Sequence, residues 1–163
     1  MSMKNYLDPK YEVKRSMSFT EKISHQISSK LSNHQLISQY DRSYAIQKIF
    51  DLHMKKRYRN ETLFVACSIL DRYLAVIGWS TYPREKMCIL ATVCMLMAAK
   101  LEQPISPSFS KMLGLLSEDE QKTITINQMI NLEADILVKL SFDFNFASPI
   151  QSMERYLRLL DYD

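Results

Sequence analysis

Apolar residues recur along this chain at intervals of three and four, the spacing of one face of an α-helix. Phe19, Ile23, Ile27 and Leu31 form a stripe at i+4 spacing after a polar stretch broken by Pro9, which predicts a short amphipathic helix over 19–31. The pattern strengthens from Asp41: Ala45, Ile46, Ile49, Phe50 and Leu52 predict a first core helix, ending at the basic run KKRYR of Lys55–Arg59. A second helix is predicted from Glu61 to Ile77, with Asn60 as N-cap and Gly78 as its stop. Leu63, Cys67, Leu70 and Leu74 lie on its inner face.

The next segment has no polar side. Pro83 marks a start, and Met87–Ala99 reads MCILATVCMLMAA, apolar all round apart from one Thr. A helix of this kind must be enclosed by others, so it is predicted to be the central rod of a bundle wrapped by the amphipathic helices. Pro104 and Pro107 punctuate its exit. A short helix is predicted from Ser108 to Leu116, then an acidic loop SEDEQ at Ser117–Gln121. Thr123 or Thr125 is predicted to cap a further helix reaching Leu140, and Pro149–Leu160 reads as a last amphipathic helix. There is no internal repeat and no low-complexity tract.

Composition agrees with an all-α chain. It has 163 residues, 47% hydrophobic, with two glycines and five prolines against ten methionines. That is enough apolar material for one core and too few turn residues for a many-stranded sheet. The net charge of +3 is local: residues 1–40 carry six basic and three acidic side chains, and 41–163 carry fifteen of each. So small a surplus argues against a nucleic-acid domain and fits a partner-facing arm. Cys67, Cys88 and Cys94 lack any CxxC spacing and read as buried thiols of a reducing compartment. With no apolar signal core at the N-terminus and no run long enough to span a bilayer, the expectation is a cytoplasmic or nuclear protein without a membrane partner. His25, His34 and His53 stand in ordinary contexts, and no GxGxxG, P-loop or Ser/His/acid constellation occurs. No catalytic residue, metal site or cofactor is expected, and the chain is not read as an enzyme.

Some charges fall where an apolar face should be. Glu133 lies in line between Met129, Ile130 and Ile136, Leu137, and a carboxylate inside such a seam needs a cation or a surface. Lys100, at the end of the central helix, is a candidate partner favoured by the helix dipole. Alternatively Lys100 extends into solvent and Glu133 sits at the edge of the stripe; spacing leaves both open. Arg42 and Asp71 pose the same choice between an interhelical bridge and two exposed charges.

NETLFVACSILDRYLA, LATVCMLMAAKLEQ and INLEADILVKLSFDFNFASP, in that order and spacing, resemble the signature segments of the cyclin N-terminal box. The resemblance runs from about Asp41 to Pro149. It implies a five-helix box around the apolar third helix, with flanking N- and C-terminal helices: an arm over 1–36, the box over 37–148 and a C-terminal helix over 149–163. It further implies that Lys100 and Glu133 pair at an interface with a cyclin-dependent protein kinase, that Leu101 and Phe142 pack against that kinase, and that Arg42 and Asp71 bridge the first two helices. The chain itself would perform no chemistry.

The chain departs from the family pattern in two places. Where many cell-cycle cyclins read close to MRAILVDW, it has DRSYAIQK at 41–48, so Asp41, Ala45 and Lys48 replace larger apolar residues and the family's Trp. Loss of the substrate-docking patch is expected. Many cyclins also continue into a second box beyond the point where this sequence stops, at Asp163, so either a naturally single-box cyclin or part of a longer product fits. Beside kinase activation stands a second reading, a kinase-free cyclin-box scaffold within a larger protein or nucleic-acid assembly, to which the KKRYR run lends weak support.

Overall fold

The structure, a computed structural model, describes residues 36–78, 82–145 and 149–160. Its elements are α1 (Leu36–Lys56), α2 (Asn60–Ile77), a 3-10 turn (Arg84–Lys86), α3 (Met87–Glu102), α4 (Phe109–Leu113), α5 (Glu118–Thr123), α6 (Ile126–Lys139) and α7 (Pro149–Leu160). The described residues form an all-α fold. The helix expected over Phe19–Leu31 lies outside them.

Helix α3 is the rod that its composition demands. Every residue from Met87 to Ala99 is buried, and α1, α2, α4 and α6 pack around it. Thr92, the one polar side chain of that run, donates its hydroxyl to the Cys88 carbonyl at 2.8 Å within its own helix. Ile49 and Leu52 from α1, Ile69, Leu70 and Leu74 from α2, Met112 from α4, and Met129 and Ile136 from α6 complete the core. Cys88 and Cys94 are buried and Cys67 is partly so, all as free thiols.

The chain ends its helices with local chemistry. Last-turn Lys55 and Lys56 favour the C-terminal dipole of α1, and Arg57 turns out of it at φ 49. The Tyr58 N–H then reaches back to the His53 carbonyl at 3.4 Å. Gly78 closes α2 at φ 87, a conformation without cost for glycine, with its N–H on the Leu74 carbonyl at 2.9 Å. Thr125 caps α6 through a capping box with Gln128.

Four boundaries differ from the sequence expectation, one of them the short helix expected to reach Leu116, which ends at Leu113. Helix α1 begins at Leu36, before the apolar stripe does. Asn60 is the first residue of α2 and not its cap; Arg59 holds that position without a side-chain hydrogen bond, and its carbonyl accepts the Thr62 N–H at 3.0 Å. The acidic stretch expected as a loop is helix α5. The Ser117 hydroxyl accepts the Glu120 N–H and the Glu120 carboxylate accepts the Ser117 N–H, while three acids in the first turn complement its dipole.

Candidate functional site

Helices α3 and α6 run side by side, and their polar exceptions meet at the surface. The Lys100 ammonium donates to both oxygens of Glu133, at 2.7 and 2.8 Å, across 33 positions of sequence. Lys100 stands at the C-terminal end of α3, where its charge also complements the helix dipole. Both side chains keep partial contact with water, and a pair in such a setting adds only about 0–1 kcal/mol to folding. The charges are organised where they contribute little to the fold.

Apolar side chains stand exposed near the ends of both helices. Leu101, next to Lys100, is 52% exposed, and Phe142, just past α6, is 68% exposed. A turn sets the place of Phe142: Ser141 and Phe142 both adopt left-handed backbone, at φ 53 and 56. The Phe142 N–H returns to the Leu137 carbonyl at 2.9 Å and the Asp143 N–H to Leu140 at 3.0 Å. Left-handed backbone at a bulky residue costs on the order of 1–3 kcal/mol. The fold sustains that cost at the residue that projects its ring outward. Leu101 follows Lys100 in the last turn of α3, and Phe142 lies just beyond the end of α6.

Arg42 and Asp71 join α1 to α2. The guanidinium donates through Nε and Nη2 to the two carboxylate oxygens at 2.8 and 2.9 Å, a bidentate pairing. The hydrogen bond from Asp71 raises the Arg42 pKa against the opposing pull of burial. Asp71 is more enclosed than its partner, so Arg42→Ala leaves a carboxylate short of its donor. The expected loss is about 2 kcal/mol, read as a thermal midpoint lower by roughly 4–8 °C. An unchanged midpoint would remove the structural role assigned to this bridge.

Several site features are not visible in the sequence. Phe109 places its ring 4.6 Å from the Lys100 ammonium. Lys48 pairs with Glu120 at 2.5 Å, and the Cys88 thiol donates to the same carboxylate at 3.3 Å. Burial alone would push the Glu120 carboxyl up, but hydrogen bonds from Lys48, the Ser117 backbone and Cys88 outweigh it and hold the pKa at about 2. The serine and glutamate three apart at Ser117 and Glu120 were the available signal for α5; the contacts with Lys48 and Phe109 had none. A cleft of about 730 Å³ opens beside this cluster, lined by Tyr44, Tyr73, Tyr82 and Asp135 among others. The Tyr73 hydroxyl donates to Asp135 at 2.6 Å.

Burial pushes the Cys67 and Cys88 thiols up to about 11, so both stay protonated and poorly nucleophilic at neutral pH. Among the described residues no group of three or more His, Cys, Asp or Glu side chains is placed to hold a metal. No described helix is long and apolar enough to cross a membrane. What the fold and the site define is an all-helical domain wound on one apolar helix, with a paired Lys and Glu and exposed apolar side chains on its surface.

The chain belongs to the cyclin family: the family model for the cyclin N-terminal domain matches residues 12–145. It is 31% identical over 137 residues to the G2/mitotic-specific cyclin-2 of Saccharomyces cerevisiae, covering 82% of this chain and 26% of the relative. To the G2/mitotic-specific cyclin CLB2 of Candida albicans it is 29% identical over 122 residues, 75% of this chain and 23% of that one. The G2/mitotic-specific cyclin-B3 of Canis lupus familiaris is 28% identical over 124 residues, 76% of this chain and 9% of that protein. The chain therefore spans about a quarter of the length of the two yeast relatives.

Proposed function

We propose that this chain is a regulatory subunit that binds and allosterically activates a cyclin-dependent protein kinase, in the cytoplasm or nucleus. The observation that carries the reading is the Lys100–Glu133 pair, joined at 2.7 and 2.8 Å at the surface, with the neighbouring Leu101 exposed. In this reading the two charges hydrogen-bond backbone groups beside the kinase's regulatory C-helix, and Leu101 and Phe142 pack against it. The bound helix stays inward, the kinase's own Lys–Glu ion pair is completed, and its activation loop is positioned. Phosphoryl transfer belongs to the kinase. In this reading residues 37–148 are the box, 1–36 an arm, and 149–163 a C-terminal segment that contains the helix Pro149–Leu160.

The test mixes the chain with a purified, monomeric cyclin-dependent kinase catalytic subunit and follows complex formation and peptide phosphorylation. A stable complex with raised activity is expected; no complex with any kinase tried would end the proposal. Two of the four cations of KKRYR are engaged within the chain. Lys55 donates to the Leu115 carbonyl at 2.7 Å, and Arg59 pairs with Glu61.

Substrate docking at α1 is expected to be absent. Ala45 is fully buried, Asp41 is ion-paired with Arg84 at 3.2 Å, and Lys48 is taken up by Glu120. An ammonium where an apolar pocket would be needed opposes burial of a leucine. Isothermal calorimetry with a short Arg-x-Leu peptide should therefore give no measurable heat of binding. Micromolar binding displaced by a substitution at Lys48 would show that the patch persists.

A further inference from the structure

We infer that Phe109 is a positioning residue for the Lys100–Glu133 pair, holding the Lys100 ammonium ready for a partner's acceptors; this rests on the kinase-facing reading above. Three helices converge on one ammonium group: α3 supplies Lys100, α6 supplies Glu133 and α4 supplies the ring. The nitrogen lies 4.6 Å from the Phe109 ring centroid, inside the ~6 Å range of cation–π attraction. An ammonium has three N–H donors, and Glu133 takes two. With the ring beside it, little freedom is left to the charge. A lysine on a four-carbon stem otherwise loses rotamer entropy when a partner fixes it, so holding it beforehand favours binding.

The ring is itself held firmly. Phe109 opens α4, where Ser108 caps by accepting the Lys111 N–H at 3.3 Å. Met112, three residues on, is fully buried in the core. Phe109 packs half-buried against that core, and α4 lies against both α3 and α6. Three residues beyond Lys100, the Gln103 amide donates to the Thr62 hydroxyl at 2.6 Å, fixing the chain as it leaves α3. The charged end of Lys100 is thus met by a carboxylate and by a ring packed on the core, and leucine at 109 would keep an apolar side chain there without attracting the charge.

Two variants separate positioning from packing: Phe109→Leu, which keeps an apolar side chain, and Phe109→Tyr, which keeps the ring face. In the free protein, NMR should show the Lys100 ε-methylene protons shifted upfield by the ring. Phe109→Leu should return them to ordinary lysine values, and Phe109→Tyr should retain the shift. Against a purified, monomeric cyclin-dependent kinase catalytic subunit, Phe109→Leu should weaken binding about three- to tenfold and Phe109→Tyr by less than about twofold. In a Lys100→Met background Phe109→Leu should add nothing. Unshifted Lys100 protons in the wild type, or an equal loss in the Lys100→Met background, overturns the role of Phe109 and leaves the kinase reading standing. Absence of wild-type binding overturns the kinase reading, and the partner-facing role of Phe109 with it.

Discussion

Glu133→Ala is expected to abolish kinase activation while leaving the folded chain almost as stable as before. Removing one member of a charge pair that a partner desolvates leaves the other buried and alone, at a cost of about 2–5 kcal/mol. That corresponds to roughly 30-fold to several-thousand-fold weaker binding. Within the free protein the same pair is partly exposed and worth at most about 1 kcal/mol, so the thermal midpoint should fall by no more than about 4 °C. Lys100→Ala should behave alike, and the double variant should cost far less than the sum of the two. The measurements are a kinase titration and a thermal melt on the same samples. Variants that activate like the wild type would place the interface elsewhere; variants that simply unfold would make the pair structural.

Leu96→Ala is expected to have the opposite profile. Leu96 is fully buried in the middle of α3, with the other helices packed around it. Truncation there removes buried methyl groups and leaves a cavity, at a cost of about 2–5 kcal/mol. For a chain of this size the midpoint should drop by on the order of 10 °C. Where the variant remains folded, its affinity for the kinase should match the wild type, because no atom of the charged face has changed. A denaturant titration checks this: the midpoint should fall with the slope unchanged. A loss below about 1 kcal/mol would show that α3 is packed more loosely than its burial indicates.

These two substitutions also mark what could be read before the fold was known. Helix α3 was legible because it is apolar on every side, so no error in helical phase could misplace its face. The same pattern identified its neighbours as amphipathic wrappers. Helix α5 was hidden because charged residues make it: Ser117 and Glu120 satisfy each other's backbone, yet a run of acids looks like a solvated loop. Asn60 was off by one position, since its residue type suits a cap and backbone geometry alone decided the place.

In the site, Lys100 and Glu133 each stood out as a charge against an apolar stripe, but spacing could not join positions 33 apart on different helices. The helix dipole made Lys100 a candidate partner, and the likeness to a family of known shape favoured the pairing over two separate charges. The ring of Phe109 beside Lys100 and the contact of Lys48 with Glu120 are products of packing between distant segments. No local rule announces them.

The all-round burial of α3 also bears on how the chain is made. Residues 87–99 leave the ribosome ahead of Met129 and Ile136 of α6, and those two side chains are part of the cover. Until α6 emerges, an unclad stretch of Met, Leu, Ile and Val is open to chaperones and proteases. Translation that halts short of α6 yields a product marked for disposal by its own central helix.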